Sequence, residues 1–272
     1  MVLSCRRPLH AMSLLGFLAA RAVPGVEEVT GDTYRRSLRL GHGDAVVSVT
    51  LGGRGVRWRL EAGDPRDAPD AERRIRALLD LDADPVAVDA ALADDPALGA
   101  AVVAAPGRRV PGCVDPAEMA IRAVLGQQVS VAAARTHAAR LVAAHGERLP
   151  APRGSVTHTF PTATALAALD PERLPLPRAR GRALVGLAAA LASGLDPRDG
   201  TALRALPGIG PWTASYVAMR CGDPDVLLET DLGVRRGAAA LGLPRDATAL
   251  RRRAERWRPW RSYAVQHLWS AA

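Results

Sequence analysis

Hydrophobic and polar residues alternate with a period of two in three stretches near the start of the chain, residues 34–40, 45–51 and 56–60. Valine and leucine alternate with serine and threonine in the second stretch, and apolar residues alternate with arginine in the third. This pattern is typical of antiparallel strands with one buried and one wet face. Glycine-rich residues 52–55 predict a turn. The arginines of the outer face either lie in solvent or contact DNA.

A helical period dominates the remaining chain. Two early helices are predicted over 12–22 and 69–79, and Asp67 is a candidate cap for the second. After residue 85 we find no further strand, and the proline- and arginine-bearing residues 147–161 predict a loop. The later predicted helices cover 86–93, 117–125, 131–144, 163–169, 179–191, 201–206, 212–221, 232–241, 248–257 and 260–270. The fold class is therefore an α+β N-terminal domain, an antiparallel sheet with helices, followed by a mostly α-helical region.

Capping residues support two of these helices. Asp115 precedes proline and is followed three residues later by glutamate, which is an N-terminal helix signature. Ser130 can cap the next helix, and Gly146 can end it. Between the two helices, residues 126–129 form a sharp turn with two glutamine side chains, which are also normal surface residues.

Residues 203–236 combine a tight turn with a carboxylate, Asp231. The sequence Leu-Pro-Gly-Ile-Gly-Pro at 206–211 separates two short helices so tightly that backbone N–H groups of the second helix point outward. Such groups form an anion site, and a nucleic-acid phosphate is a suitable anion. An ordinary Gly-Pro turn between core helices, with Asp231 capping the next helix, explains the residues equally well.

The charge of the chain favours a polyanionic partner. The 272 residues carry a net charge of +8 and the pI is near 10.7, so phosphate neutralisation and counterion release would favour nucleic acid. All 36 basic residues are arginine. Without lysine, no side-chain ammonium can form a Schiff base.

Cysteine and histidine spacings argue against a metal, an iron-sulfur cluster or another cofactor. Cys5, Cys113 and Cys221 are far apart in sequence, and the six histidines form no metal-binding pair. We expect reduced thiols and a cytosolic protein. Residues 6–22 resemble a signal peptide, but proline and charged residues interrupt the pattern. No apolar run reaches the length of a membrane span.

Several motifs occur together in the order found in one protein family. They are LLGFLAARAV at 14–23, VPGCVD at 110–115, LGQQVS at 125–130, LPGIGPWTASY at 206–216, VLLETDLGVRR at 226–236 and AERWRPWRSYA at 254–264. This set resembles the helix-hairpin-helix DNA glycosylase superfamily, and more closely its AlkA-type 3-methyladenine DNA glycosylases. The resemblance spans nearly the whole chain, and it is more specific than a single hairpin motif.

The resemblance implies domain boundaries and an activity. An N-terminal domain would cover 1–84, and a glycosylase region 85–272 would comprise subdomain 113–222, with the hairpin, and a second subdomain from 85–112 plus 223–272. The implied activity is that of a monofunctional hydrolase in base excision repair. It would flip an alkylated purine such as 3-methyladenine out of duplex DNA and cleave its glycosidic bond. We expect a monomer in the bacterial cytosol, with damaged double-stranded DNA as partner and no membrane association.

Asp231 matches the catalytic aspartate of that family. Its carboxylate would stabilise positive charge on the deoxyribose and orient the attacking water. Opposite charges about 4 Å apart at an effective dielectric near 20 attract by roughly 4 kcal/mol, which corresponds to about three decades of rate. Glu229 is the other nearby carboxylate. We prefer Asp231 because it matches the motif and because a short side chain at a helix start is held more firmly.

The resemblance also assigns residues that bind DNA. The matching base-pocket residues are Phe17, Trp212, Tyr216 and Trp269, and the matching backbone-binding residues are Gly208, Ile209, Gly210 and Thr213. Aromatic faces attract a cationic alkylated purine, although a single aromatic residue is more readily explained by a hydrophobic core. Hairpin amides would hold a phosphate without reading sequence.

The sequence departs from the family pattern at two positions. Gln128 stands where an apolar wedge is expected to fill the gap left by a flipped base. Leu232 stands where an aromatic residue is expected, which implies a roomier pocket. Trp212 occupies the position of the nucleophilic lysine in lyase-competent relatives, and this argues for hydrolysis without strand cleavage. Two alternatives stay open: a DNA-binding scaffold without activity, and a glycosylase for mismatched or oxidised bases.

Overall fold

A computed structural model describes residues 1–52 and 55–272, so part of the predicted turn at 52–55 lies outside the described residues. The elements, in chain order, are β1 (Val2–Leu3), α1 (Ala11–Arg21), β2 (Glu27–Thr30), β3 (Thr33–Leu40), β4 (Gly43–Gly52), β5 (Gly55–Ala62), α2 (Ala68–Leu79), α3 (Pro85–Ala93), α4 (Gly99–Ala104), α5 (Pro116–Leu125), α6 (Val131–His145), β6 (Arg148–Arg153), β7 (Val156–His158), α7 (Ala163–Ala167), α8 (Arg178–Ala192), α9 (Gly200–Arg204), α10 (Pro211–Arg220), α11 (Leu232–Ala240), α12 (Ala247–Arg253) and α13 (Arg261–Ser270). The predicted fold class is confirmed.

The N-terminal sheet is antiparallel, with strand order β1-β5-β4-β3-β2. Its three longest strands are those that the alternating pattern predicts, and β1 and β2 were missed because they are only two and four residues long. Arg57 and Arg59 are exposed as expected. Arg36, by contrast, is only 3% exposed, because it lies on the same face of β3 as Leu38 and Leu40 and is turned into the protein.

The small hairpin of β6 and β7 corrects the prediction of a loop at 147–161. Its register is irregular, and its prolines lack the N–H that a regular ladder needs, so alternation gives no signal there. Leu149 and Val156 pack with Val46 on the outer face of the N-terminal sheet. The face that we expected to be wet is therefore partly covered.

Three smaller differences concern helices. Helix α4 was not predicted, because it has only six residues. The helix predicted over 248–257 gives way to a 3₁₀ turn after Arg253. Asp67 occupies the predicted N-cap position of α2, but its side chain makes no capping hydrogen bond. Its carboxylate accepts hydrogen bonds from the backbone N–H and the ring Nδ1 of His42 instead. The caps predicted at Asp115, Ser130 and Gly146 are confirmed.

Buried apolar residues form three main clusters. The first lies between the sheet, α1 and α2, and spans residues 3–81 with Val114. The second spans residues 119–217 with Val23 and Val26, and the third spans 88–110 and 219–268. The domain boundaries inferred from the resemblance remain a proposal. No helix in residues 1–52 or 55–272 combines the length and apolar character needed to cross a membrane.

A buried charge network joins the sheet to α5. Arg36 on β3 donates to Glu118 on α5 at 2.7 Å, and Arg122 on α5 lies 2.9 Å from Glu27 on β2. Tyr34 donates to Glu27 at 2.6 Å. Burial raises the pKa of Glu27, but Arg122 and Arg36 outweigh it and hold that pKa below its ordinary value.

Asp80 is a second partly buried carboxyl, at the end of α2. It accepts hydrogen bonds from the Tyr263 hydroxyl at 2.8 Å and from the Val110 N–H at 3.2 Å. Its φ of 53° is left-handed, a conformation that aspartate and asparagine tolerate. Burial raises its pKa to about 6. Ionised Asp80 therefore costs stability at neutral pH.

We expect Asp80→Asn to raise the free energy of unfolding near pH 7.5. Because the folded-state pKa lies above its ordinary value of 3.8, the wild type loses stability as the pH rises from about 4 to about 6. The asparagine carbonyl can accept both hydrogen bonds without a charge. Urea unfolding should show a gain on the order of 2 kcal/mol near pH 7.5 that disappears near pH 4. Asp94→Asn, at an exposed acid, is the control, and equal pH profiles for all three proteins would contradict the assignment.

Candidate active site

A cleft of about 1360 Å³ runs between the hairpin before α10, the turn after α5 and the start of α11. Its lining includes the predicted catalytic residue, three of the predicted base-pocket residues, the predicted backbone-binding residues and the predicted wedge. In that order they are Asp231; Trp212, Tyr216 and Trp269; Gly208, Ile209, Gly210 and Thr213; and Gln128. Asp231 is the one acidic residue among its described lining residues, and five arginines also line it. The cleft thus brings together a carboxylate, aromatic rings and a basic surface.

Asp231 is fixed by three N–H donors. It caps α11 by accepting a hydrogen bond from the Val234 N–H at 2.9 Å through Oδ1. The same oxygen accepts from the Trp269 indole at 2.9 Å, and Oδ2 accepts from the Trp212 indole at 3.1 Å. The helix-cap and the catalytic interpretations of Asp231 are therefore compatible, because a capping carboxylate is also held in a fixed orientation toward the cleft.

The aromatic residues form a continuous row beside this carboxylate. Trp212 and Tyr216 are stacked, with ring centroids 5.2 Å apart and planes 7° apart. Trp269 meets Tyr216 edge to face at 6.3 Å, and Phe17 lies 6.4 Å from Trp269. Residues from α1, α10 and α13 thus meet at one place. Phe17 itself lines a smaller cavity, about 20 Å³, behind the main cleft.

Two arginines occupy the same region. The Arg21 guanidinium lies 3.7 Å from the Phe17 ring centroid, and that of Arg220 lies 4.8 Å from it. Arg220 also donates to the Tyr216 hydroxyl at 2.9 Å. Burial raises the pKa of Tyr216, but the positive charges of Arg220 and Arg21 outweigh it and lower that pKa overall. The Tyr216 hydroxyl oxygen thus accepts a hydrogen bond in a positively charged environment.

The hairpin has the geometry of an outward-facing helix start. Gly208 has a φ of +82°, and a Cβ there would lie 2.6 Å from Ala183 Cβ, so only glycine fits. Ile209 is buried and anchors the turn. Gly210 is the N-cap of α10 and provides no side-chain cap. The first N–H groups of α10 consequently border the cleft without an intrahelical acceptor.

Gln127 ties the turn after α5 to this hairpin. Its side-chain N–H₂ donates to the Gly208 carbonyl at 2.9 Å and to the Thr213 hydroxyl at 3.0 Å. Gln128 is exposed, with a φ of +55°. Leu232, beside Asp231, is 67% exposed and also borders the cleft. Glu229 is paired with Arg251, which leaves Asp231 as the better candidate.

Sequence reasoning missed three residues of this site. Arg21 and Arg220 each follow an aromatic site residue by four positions on a helix, and that spacing was the available signal. Gln127 had no comparable signal, because its role depends on a hairpin 81 residues away. Nor did the sequence indicate that both indoles donate to Asp231.

Comparisons with known proteins give a consistent result. Residues 1–115 match the AlkA N-terminal domain, and residues 121–262 match the HhH-GPD superfamily of base excision DNA repair proteins. The probable bifunctional transcriptional activator/DNA repair enzyme AlkA of Mycobacterium tuberculosis is 51% identical over 98% of this chain and 56% of its own length. The chain thus spans little more than half of that relative.

Two further proteins match over most of their length. DNA-3-methyladenine glycosylase 2 of Escherichia coli is 39% identical, with coverage of 94% of this chain and 92% of that protein. The structure of a 3-methyladenine DNA glycosylase from Archaeoglobus fulgidus superposes with a TM-score of 0.84 at 21% identity, covering 99% of this chain and 97% of the other. At that identity the structural likeness concerns the fold.

We expect Gly233→Ala to disturb the position of Asp231. A Cβ at residue 233 would lie 3.0 Å from Trp269 Cδ1 and 3.1 Å from Asp231 Oδ1. Alanine in a helix normally stabilises by up to about 1 kcal/mol over glycine, but here Trp269 is held by its hydrogen bond and its aromatic neighbours. Urea unfolding should show no gain, or a loss of about 1 kcal/mol, with a change in tryptophan fluorescence.

The matched control is Gly186→Ala on α8, where an added Cβ meets no atom within 4 Å. This variant should gain about 0.5–1 kcal/mol of stability with unchanged fluorescence. The same gain in both variants would contradict the packing described for Asp231 and Trp269.

Proposed function

The chain belongs to the HhH-GPD superfamily of base excision DNA repair proteins, and we propose that it is a monofunctional DNA glycosylase. The proposed reaction is hydrolysis of the N-glycosidic bond of alkylated purines, such as 3-methyladenine, in duplex DNA. The proposal rests mainly on one observation: three N–H donors fix the Asp231 carboxylate in a cleft lined with aromatic rings. We propose the bacterial cytosol as its location and a monomer as its form.

DNA binding would begin at the hairpin. The N–H groups at the start of α10 would hold one backbone phosphate, and the partial positive charge of the helix start would add to this attraction. Gln127 fixes the hairpin relative to the turn that carries Gln128. A phosphate anchor and a wedge would therefore act on the same strand at a fixed separation. This arrangement suits a flipped nucleotide.

Asp231 would act on the sugar of that nucleotide. As the glycosidic bond lengthens, positive charge develops on the deoxyribose, and a carboxylate already oriented by the protein stabilises it without reorganisation. The same group can orient the water that attacks the sugar. The alkylated base leaves as a neutral purine, because alkylation has already given it a positive charge. No general acid is needed for such a leaving group.

The aromatic row would select the base. Cationic rings are attracted to aromatic faces by about 1–2 kcal/mol when water is excluded, and Trp212 and Tyr216 present adjacent rings. Trp212 stands where lyase-competent relatives carry lysine, and the sequence contains no lysine. These features support simple hydrolysis. They also disfavour the alternative of a DNA-binding scaffold, which requires neither a fixed carboxylate nor a row of aromatic residues.

The central test is Asp231→Asn. Asparagine can still cap α11, but it removes the negative charge and presents N–H₂ toward one of the indole donors. Single-turnover release of 3-methyladenine from methylated duplex DNA should fall by about three decades, while affinity for the duplex stays nearly unchanged.

Glu229→Gln is the matched control, because it removes the same charge two residues away, where the carboxylate pairs with Arg251. Its rate should stay within about threefold of the wild type. Equal release by wild type and Asp231→Asn would refute the mechanism. A wild type that binds methylated duplex but releases no base would favour the scaffold alternative.

Gln128 provides a separate test of base flipping. We expect Gln128→Ala to weaken flipping, because no side chain then fills the gap in the stack, and Gln128→Leu to restore or increase it. The difference between alanine and leucine should be about tenfold in the flipping equilibrium, as expected for burial of a few methylene groups. Fluorescence of a 2-aminopurine beside the lesion would report it. Equal signals from alanine and leucine would exclude Gln128 as the wedge.

A further inference from the structure

Two cysteines that are distant in sequence meet in the folded chain. Cys113 and Cys221 are 108 positions apart, yet their Sγ atoms lie 3.9 Å from each other. Both side chains are partly exposed. The backbones that carry them also run close together, because a Cβ at Gly112 would lie 3.6 Å from the Arg220 carbonyl.

Arg220 holds these two segments in place. Its guanidinium donates to the Pro111 carbonyl at 2.5 Å and to the Gly112 carbonyl at 2.7 Å. Cys221 follows Arg220 directly at the end of α10. The proximity of the sulfurs is therefore supported by buried hydrogen bonds from the Arg220 side chain to the backbone before Cys113, and not only by the rotamers of two isolated side chains.

The cysteines mark the base of one structural unit. The buried cluster of residues 119–217 begins shortly after Cys113 and ends shortly before Cys221, and both thiols pack against it. A bond between them would close this segment into a loop of the chain. The bond would also connect the C-terminal end of α10, the helix that carries Tyr216, to the segment before α5.

We propose that Cys113 and Cys221 are a site of reversible oxidation, at which a peroxide or a low-molecular-weight disulfide converts the two thiols into an intramolecular disulfide. Neither sulfur belongs to the residues assigned to catalysis or DNA binding. The inference therefore stands independently of the proposed glycosylase activity.

The chemistry assigns a role to each sulfur. A hydrogen bond from Cys113 lowers the pKa of Cys221, and the same hydrogen bond together with burial raises the pKa of Cys113. The Cys221 thiolate is thus the nucleophile. It attacks hydrogen peroxide to give a sulfenic acid and hydroxide, which takes up a proton to form water. Cys113 then displaces the sulfenic oxygen as a second water, so that two thiols and one peroxide give one disulfide and two waters.

The geometry permits the bond with a small movement. A disulfide needs its sulfurs about 2.05 Å apart, so the two Sγ atoms must approach by roughly 2 Å. Side-chain rotation and a slight shift at the end of α10 can provide this. Closing a loop of this length restricts the unfolded chain more than the folded one, so the oxidised protein should resist unfolding better.

The experiment uses the full chain, with and without hydrogen peroxide in modest excess. Free thiols counted after denaturation should fall from three to one, and peptide mapping under non-reducing conditions should find Cys113 joined to Cys221. The apparent Tm should rise by roughly 5–10 °C and return after reduction. Cys5→Ser keeps the pair and should show the same crosslink and the same rise.

Cys221→Ser is the matched variant, and it should show neither the crosslink nor the rise in Tm. Three thiols that persist under conditions that oxidise free cysteine in a parallel sample would overturn the proposal. So would a crosslink through Cys5, or a Cys113–Cys221 crosslink that lowers the Tm.

Discussion

The buried charge network between the sheet and α5 is the constraint on which the arrangement of the site depends. Two arginines and two glutamates are removed from water together, and each loses hydration that only several good partners can replace. The network supplies them: Glu27 also accepts hydrogen bonds from the Tyr34 hydroxyl and the Val23 N–H. Removing one partner would leave a charge unpaired in the interior. The relative position of sheet and helix is therefore set by charges that tolerate little displacement, whereas apolar packing alone would accept several positions.

That constraint extends to both sides of the cleft. Arg122 belongs to the network and also donates to the Arg21 carbonyl at 2.7 Å, at the end of the helix that carries Phe17. Two residues after the last helical residue of α5 comes Gln127, which holds the hairpin. One face of α5 thus fixes the aromatic end of the site, and its C-terminal end fixes the proposed phosphate-binding end. The N-terminal sheet thereby contributes to the position of the proposed phosphate anchor.

The sequence predicted those parts of the fold that depend on local signals. Alternation identified β3, β4 and β5, and cap residues located the start of α5 and of α6. The hairpin of β6 and β7 could not be found in this way, because its stability comes from packing on Val46 of the distant sheet. Alternation places Arg36 on the same face of β3 as Leu38 and Leu40, but it could not identify the partner that permits burial of its charge, because Glu118 is 82 residues away. In the candidate site, residue identities came from motifs, whereas the hydrogen bonds among them depend on contacts between helices far apart in sequence.

The two indoles next to Asp231 change how substitutions in the aromatic row should be interpreted. Trp212 and Trp269 are at once walls of the cleft and hydrogen-bond donors to the carboxylate. A hydrogen bond to a charged group contributes about 1.5–3 kcal/mol, and stacking of a cationic base contributes about 1–2 kcal/mol. Loss of activity after replacement of either tryptophan by alanine therefore cannot be attributed to stacking alone. Phenylalanine keeps most of the ring area and removes the donor. The difference in activity between the alanine and phenylalanine variants therefore measures the contribution of the ring. The difference between the phenylalanine variant and the wild type measures the contribution of the hydrogen bond that positions Asp231. Because the two contributions are of similar size, the proposed roles of Trp212 and Trp269 include orienting Asp231 as well as binding the base.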